Sequence, residues 1–136
     1  MKQPAQAILF DLDGTLLDTA RDLGNTLNHI LTLHNMPSVP YEKYRNIASD
    51  GAKGLLELGF GETLKSLDFD KLRHYFLDYY HQNICVDTYY FEGIEELLMT
   101  LNERNIPWGI VTNKPEALTL KLVKHFPLLE ACQVII

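Results

Sequence analysis

The chain has 136 residues, of which 46% are hydrophobic and 22% charged, and a formal net charge of -6. These values are typical of one globular domain, with or without an insertion, and the acidic balance argues against nucleic acid or an anionic membrane as a partner. No apolar run is long enough to cross a bilayer. The two cysteines, Cys85 and Cys132, are too few for a disulfide scaffold, which favours a cytoplasmic protein.

Short apolar runs predict strands, and apolar residues three or four positions apart predict helices. Strands are predicted over residues 5–10, 106–111 and 133–136, the first two buried and the last cut short. Helices are predicted within residues 23–34, 41–47, 52–56, 69–83, 94–101 and 115–126, with a loop at 48–51. Thr19, with Asp22 three residues later, is predicted to start the first helix.

The order of these elements is strand, helical block, helix, strand, helix, strand. Strands that alternate with helices indicate an α/β fold with a parallel sheet, here a partial Rossmann-like core. Residues 16–91 carry only helical patterns, so we predict that they form an insertion. The core then comprises residues 1–15 and 92–136 and is incomplete at its C-terminus.

Two carboxylates, Asp11 and Asp13, follow the first predicted strand directly, in the sequence FDLDGT. Residues i and i+2 of an extended chain point to the same side, so both carboxylates can face one small volume. A hard cation such as Mg²⁺ relieves their repulsion, prefers oxygen ligands and commonly keeps waters and a substrate phosphate. The backbone N–H of Gly14 can approach an anion closely, and Thr15 adds a hydroxyl.

A second polar cluster, Thr112-Asn113-Lys114, follows the second predicted strand. Ligands of open α/β sheets collect outside the carboxyl ends of the strands, where both clusters lie. An aspartate can attack phosphorus to form an aspartyl phosphate, while a second carboxylic acid protonates the leaving oxygen and then activates water. Thr112 can donate a hydrogen bond to a phosphate oxygen. The two clusters therefore favour phosphoryl transfer assisted by Mg²⁺.

Plainer interpretations of the acids compete with this one. An EF-hand loop that begins at Asp11 needs Gly at its sixth position, where this sequence has Leu16. A simple turn explains Asp13 and Gly14 but not the other polar residues. The same spacing of two aspartates recurs at residues 68–70 without a preceding strand, and there it predicts the start of a helix.

The sequence FDLDGTLLDT resembles the first motif of the haloacid dehalogenase superfamily, and GIVTNKP resembles its second. The resemblance implies that Asp11 is the nucleophile and a Mg²⁺ ligand. It makes Asp13 the general acid and base, with its backbone carbonyl also on the metal. Thr112 would bind phosphate with Asn113 beside it, and Gly14 is the expected amide donor. An acid at position 13 favours phosphoryl chemistry over dehalogenation or phosphonate cleavage, and a sugar-phosphate mutase stays open.

The residues inserted after the first motif resemble the α-helical cap of the phosphoglycolate phosphatase-like branch. Within them, YRNIASDGAKGLLELGF resembles the cap segment that faces the substrate. Arg45, Asp50 and Gly51, with Ser49 and Lys53 nearby, are therefore candidates for substrate contact; an ordinary solvated loop is the alternative. The expected activity is Mg²⁺-dependent hydrolysis of a small phosphorylated metabolite, phosphoglycolate phosphatase-like in the first place.

Two alternatives remain open. The sequences FEGIEELL and WGIVTNKP also resemble bacterial phosphatases that act on N-acetylmuramic acid 6-phosphate, a larger sugar phosphate. The lysine of the third family motif and the metal-binding acids of the fourth are expected beyond Ile136, and Lys114 is not that lysine. The chain is thus expected to be a fragment that is inactive alone, and a catalytically incomplete chain that only binds phosphate or a partner is the second alternative.

Overall fold

The computed structural model describes residues 7–136, so the predicted strand positions 5 and 6 lie outside the described residues. Contacts within the chain define two compact units. The core unit contains residues 7–18 together with Tyr89–Ile136, and the helical unit contains Thr19–Thr88. None of the helices within residues 7–136 has the length and hydrophobicity needed to span a membrane.

A parallel sheet lies at the centre of the core unit. Strand β1 (Ile8–Asp11) pairs with β4 (Trp108–Val111), with Asp11 opposite Val111 at the carboxyl end of the pair. Residues 133–136 run parallel along the other side of β4, where the N–H of Ile110 donates to the carbonyl of Val134 at 2.9 Å. These bonds place the predicted third strand segment beside β4, although only one bridge forms there.

The two paired strands differ in burial. Trp108 and Ile110 of β4 are buried, whereas Ile8 and Leu9 of β1 are 37% and 55% exposed. The prediction of a buried strand is therefore right for β4 and wrong for β1. The physical reason is that β4 has a neighbour on each side, while β1 has only β4 among the described residues.

Two very short strands were not predicted. Leu17–Asp18 forms β2 and Tyr89–Tyr90 forms β3, and the two pair antiparallel with Leu17 opposite Tyr90. The expectation of purely helical structure over residues 16–91 is therefore wrong near both of its ends. A strand of two residues has no periodicity by which a sequence pattern can reveal it.

The helical unit contains α1 (Ala20–Leu33), α2 (Tyr41–Tyr44), α3 (Gly51–Phe60) and α4 (Phe69–Gln82), with 3₁₀ turns at Ala48–Asp50 and Gly61–Ser66. The core unit contains α5 (Ile94–Glu103), α6 (Glu116–Val123) and α7 (Pro127–Glu130).

The observed starts of the helices agree with the sequence predictions only in part. Asp68 caps α4 as predicted, because its carboxylate accepts the N–H of Lys71 at 3.2 Å. α1 begins after Thr19 as predicted, but the Thr19 side chain does not cap it. The helix predicted over residues 41–47 is shorter than expected and ends at Tyr44, and the loop predicted at 48–51 is a 3₁₀ turn that leads into α3.

Candidate active site

The chain makes a tight turn directly after β1. The carbonyl of Leu12 accepts the N–H groups of Leu16 and Leu17, both at 3.1 Å, and the N–H of Gly14 donates to the Leu17 carbonyl at 2.9 Å. Gly14 has a φ of 83°, which favours glycine over residues with a side chain. In this structure the Gly14 N–H is thus already hydrogen-bonded, and Gly14 contributes to the site as the residue that allows the turn.

This turn gives the two aspartates different surroundings. Asp11, at the end of β1, is exposed, and one of its carboxylate oxygens accepts the Leu12 N–H at 3.0 Å. The side chain of Asp13 is only 14% exposed and lies 3.1 Å from the ammonium of Lys114. An accessible carboxylate suits a nucleophile, whereas a mostly shielded carboxylate with a fixed partner suits a group that gives and takes a proton in a defined orientation.

Lys114 is the functional candidate that sequence reasoning missed. Its side chain is 6% exposed, and its ammonium contacts Asp13 from the segment after the neighbouring strand. Burial lowers the pKa of Lys114 from its ordinary value, while the charge of Asp13 and its hydrogen bond act in the opposite direction. The sequence showed only a lysine after the second motif; its partner is a tertiary contact that spacing does not reveal.

The segment after β4 is held by its own hydrogen bonds. The N–H of Lys114 donates to the hydroxyl oxygen of Thr112 at 3.1 Å, and the hydroxyl of Thr119 donates to the Lys114 carbonyl at 3.2 Å. Because Thr112 accepts in this contact, its own hydroxyl proton can be donated to a phosphate oxygen. Asn113, beside it, is exposed.

The donor chemistry of the site fits Mg²⁺ in part. Asp11 offers an exposed carboxylate, and the family resemblance adds the backbone carbonyl of Asp13. Mg²⁺ is commonly held by one or two carboxylates, with waters and a substrate phosphate as its other ligands. Among residues 7–136 no cluster of three His, Cys, Asp or Glu side chains could hold a metal ion. If Mg²⁺ binds here, the described residues would offer it a minimal ligand set rather than a closed protein cage.

The candidates for substrate contact belong to the helical unit. Arg45, which follows α2, is exposed, and its guanidinium lies 6.0 Å from the ring centre of Tyr41. The guanidinium of Arg21 lies 4.5 Å from the same ring centre, which the sequence did not indicate. Asp50 is exposed, and Gly51 has a φ of 79°. This segment therefore presents exposed polar side chains.

Residues 8–136 match the haloacid dehalogenase-like hydrolase family, and the chain belongs to that family. An N-acetylmuramic acid 6-phosphate phosphatase from Pseudomonas aeruginosa is 34% identical over 131 residues, which cover 96% of this chain and 58% of that protein. A phosphoglycolate phosphatase from Xanthomonas campestris pv. campestris is also 34% identical over 131 residues, or 96% of this chain and 59% of its own.

A solved structure agrees with these sequence relatives. The crystal structure of a predicted phosphoglycolate phosphatase from Haemophilus somnus has a TM-score of 0.83 at 24% identity, over 97% of this chain and 62% of that one. These comparisons confirm the family and the Rossmann-like α/β fold predicted from the sequence. The chain covers 58% and 59% of the lengths of the two curated relatives.

Proposed function

We propose that this chain carries the nucleophile, the acid–base residue and part of the phosphate site of a Mg²⁺-dependent phosphomonoester hydrolase. One observation carries the proposal: β1 and β4 are adjacent and parallel, with Asp11 opposite Val111. The turn with the two aspartates and the segment that starts at Thr112 therefore leave the sheet at the same edge. Carboxyl ends of neighbouring parallel strands are where α/β folds bind ligands.

In the proposed reaction, the carboxylate of Asp11 attacks phosphorus as the bond to the leaving oxygen breaks. Asp13, protonated, gives its proton to that oxygen. Asp13 then takes a proton from a water molecule, which attacks the aspartyl phosphate, releases phosphate and restores Asp11. The hydroxyl of Thr112 donates to a phosphate oxygen throughout, with Asn113 as a further candidate, while Gly14 allows the turn that carries the two aspartates. When bound at Asp11, Mg²⁺ would supply positive charge to the transferring group.

The proposed substrate is a small phosphate ester that also carries a carboxylate. The curated relatives act, by their names, on phosphoglycolate or on N-acetylmuramic acid 6-phosphate. Both molecules pair a phosphate with a carboxylate, so a cation that binds the carboxylate would serve either one. The exposed guanidinium of Arg45, in the helical unit that we propose as the cap, supports this class, with Asp50 and Gly51 beside it. The free thiols Cys85 and Cys132 suit the proposed cytoplasmic location.

The proposal is tested by phosphate release from the complete gene product, stripped of metal and then assayed with and without Mg²⁺. Three substrates separate the possibilities: 2-phosphoglycolate, N-acetylmuramic acid 6-phosphate and p-nitrophenyl phosphate. We expect Mg²⁺-dependent hydrolysis of all three, with the highest kcat/KM for one of the two carboxylated esters. A complete protein that binds phosphate but releases none from any ester would support the alternative of a binding chain.

A further inference from the structure

Lys114 has no role in the proposed mechanism, although it lies against one of the mechanism's two acids. We propose that Lys114 is a positioning residue, which fixes the carboxylate of Asp13 in the orientation needed for proton transfer. The inference rests on the proposed phosphatase function. By this inference, the segment after β4 does more than bind phosphate, because its Lys114 also orients Asp13, which follows β1.

The contact between the two side chains is close and shielded from water. The Lys114 ammonium lies 3.1 Å from Oδ1 of Asp13, and the side chains are 6% and 14% exposed. A charge-assisted hydrogen bond of this length restricts rotation of the carboxylate. Water competes little for either group at such burial, so the orientation is more strongly defined than in a surface ion pair.

The backbone that carries Lys114 is also fixed. Its N–H is bound to the hydroxyl of Thr112 and its carbonyl to the hydroxyl of Thr119, which is 1% exposed. The Thr119 hydroxyl also lies 3.1 Å from the Pro115 carbonyl, which ties the turn to the first turn of α6. A long and flexible lysine side chain is therefore held at its backbone end by this turn and at its ammonium end by Asp13.

A positioning role predicts a specific kinetic pattern. In the step that forms the aspartyl phosphate, which kcat/KM reports, Asp13 matters most when the leaving oxygen is a poor leaving group, as in an alkyl phosphate, and less for p-nitrophenolate, which departs without a proton. If Lys114 acts by orienting Asp13, its loss must show the same dependence on the leaving group. If Lys114 only stabilises the fold or neutralises charge near the phosphate, both substrates must suffer alike.

The test is a double-mutant cycle in the complete protein, on 2-phosphoglycolate and p-nitrophenyl phosphate. Lys114→Met keeps the chain volume and removes the charge, and we expect about a tenfold to hundredfold loss of kcat/KM on the alkyl ester. We expect KM within about threefold of wild type and a smaller loss on the aryl ester. In the Asp13→Asn background the same change should cost almost nothing further. Lys114→Arg should restore part of the rate, and the exposed Lys124→Met is the matched control.

Independent, multiplicative losses from Lys114→Met and Asp13→Asn would overturn the inference, as would equal losses on both esters. If Lys114→Met does not fold, Thr119→Val takes its place. This variant removes the hydrogen bonds from the Thr119 hydroxyl to the carbonyls of Lys114 and Pro115 but keeps the Lys114 ammonium. It should show the same smaller loss on the aryl ester. An equal loss on both esters by Thr119→Val would again overturn the inference. If the wild type hydrolyses both esters and Lys114→Met is fully active, the role of Lys114 is refuted and the proposed function stands. If the wild type is inactive on both esters, the proposed function itself is refuted.

Discussion

The carboxylate of Asp22 accepts a hydrogen bond of 2.6 Å from the hydroxyl of Thr88, 66 residues further along the chain. It also accepts the backbone N–H of Val86 at 3.1 Å and that of Asp87 at 3.0 Å, and Asp22 is only 4% exposed. Asp22 lies in the first turn of α1 and Thr88 is the last residue of the helical unit. The carboxylate therefore ties the start of this unit to its end.

We expect Asp22→Asn to lower the free energy of unfolding by about 2–4 kcal/mol, because an amide offers one acceptor oxygen where the carboxylate offers two, and places its NH₂ group against donors. Urea denaturation followed by circular dichroism measures the change. The control is Asp87→Asn, whose exposed side chain changes while its backbone N–H stays; it should differ from wild type by less than about 0.5 kcal/mol. Equal destabilisation by both variants would contradict the role of the Asp22 carboxylate.

Tyr90 gives a prediction about alkaline pH. Burial, with a smaller effect from the charge of Glu95, raises the pKa of Tyr90 to about 12 from its ordinary value of 10.0. Above pH ~10 the unfolded chain loses this proton while the folded chain keeps it, so the stability that this tyrosine contributes falls as pH rises towards 12. In Tyr90→Phe this loss is absent.

Urea midpoints at pH 8, 9.5 and 10.5 measure that difference. We expect the midpoint of wild type relative to Tyr90→Phe to stay constant from pH 8 to pH 9.5 and then to fall at pH 10.5. Parallel pH profiles for the two proteins would show that Tyr90 titrates alike in the folded and unfolded states.

The sequence predicted those features that depend on local patterns. Strand β4 is a short apolar run that ends at a polar cluster, and Asp68 has the side chain and position of a helix cap, so both were found. The features it missed depend on partners distant in sequence. Asp22 suggests a capping partner for Thr19, yet its carboxylate bonds the segment 86–88. The partner of Lys114, Asp13, likewise becomes visible only once β1 and β4 lie side by side.

Asp11→Asn tests the nucleophile. The amide is nearly the same size as the carboxylate but cannot attack phosphorus, so we expect at least a ~1,000-fold loss of kcat in the complete protein with little change in melting temperature. Asp70→Asn is a matched control, since Asp70 is an exposed aspartate of a second D-x-D sequence, placed on a helix. Turnover of p-nitrophenyl phosphate by Asp11→Asn within a factor of ten of wild type would refute this assignment.

Asp13→Asn tests the acid. It should form the aspartyl phosphate from an aryl ester at close to the wild-type rate while its kcat/KM on alkyl esters falls by about 100-fold or more, because in that step only alkyl leaving groups need the proton. A plot of log(kcat/KM) against the pKa of the leaving group, over a series of aryl and alkyl phosphates, should be steeper for the variant than for wild type. An unchanged slope would mean that Asp13 has another role.

Selectivity for the ester must come from residues other than those that act on phosphorus, since the phosphate group is common to all substrates. Arg45 and Asp50 are exposed polar residues of the helical unit. We expect Arg45→Ala or Asp50→Ala to lower kcat/KM for the proposed carboxylated ester about tenfold more than for p-nitrophenyl phosphate, which has no carboxylate to bind. The control for Arg45 is Lys43→Ala, which removes an exposed cation from α2 two residues earlier.

The comparison of the two substrates within each variant is what decides this last prediction. A variant that disturbs folding or the phosphate site lowers kcat/KM for both esters together, so only the ratio reports on recognition of the leaving group. A raised KM with an unchanged kcat on the carboxylated ester would indicate that Arg45 binds substrate and transition state equally. Equal losses on both esters, or the same ratio change in Lys43→Ala, would place the recognition of the carboxylate in another part of the protein.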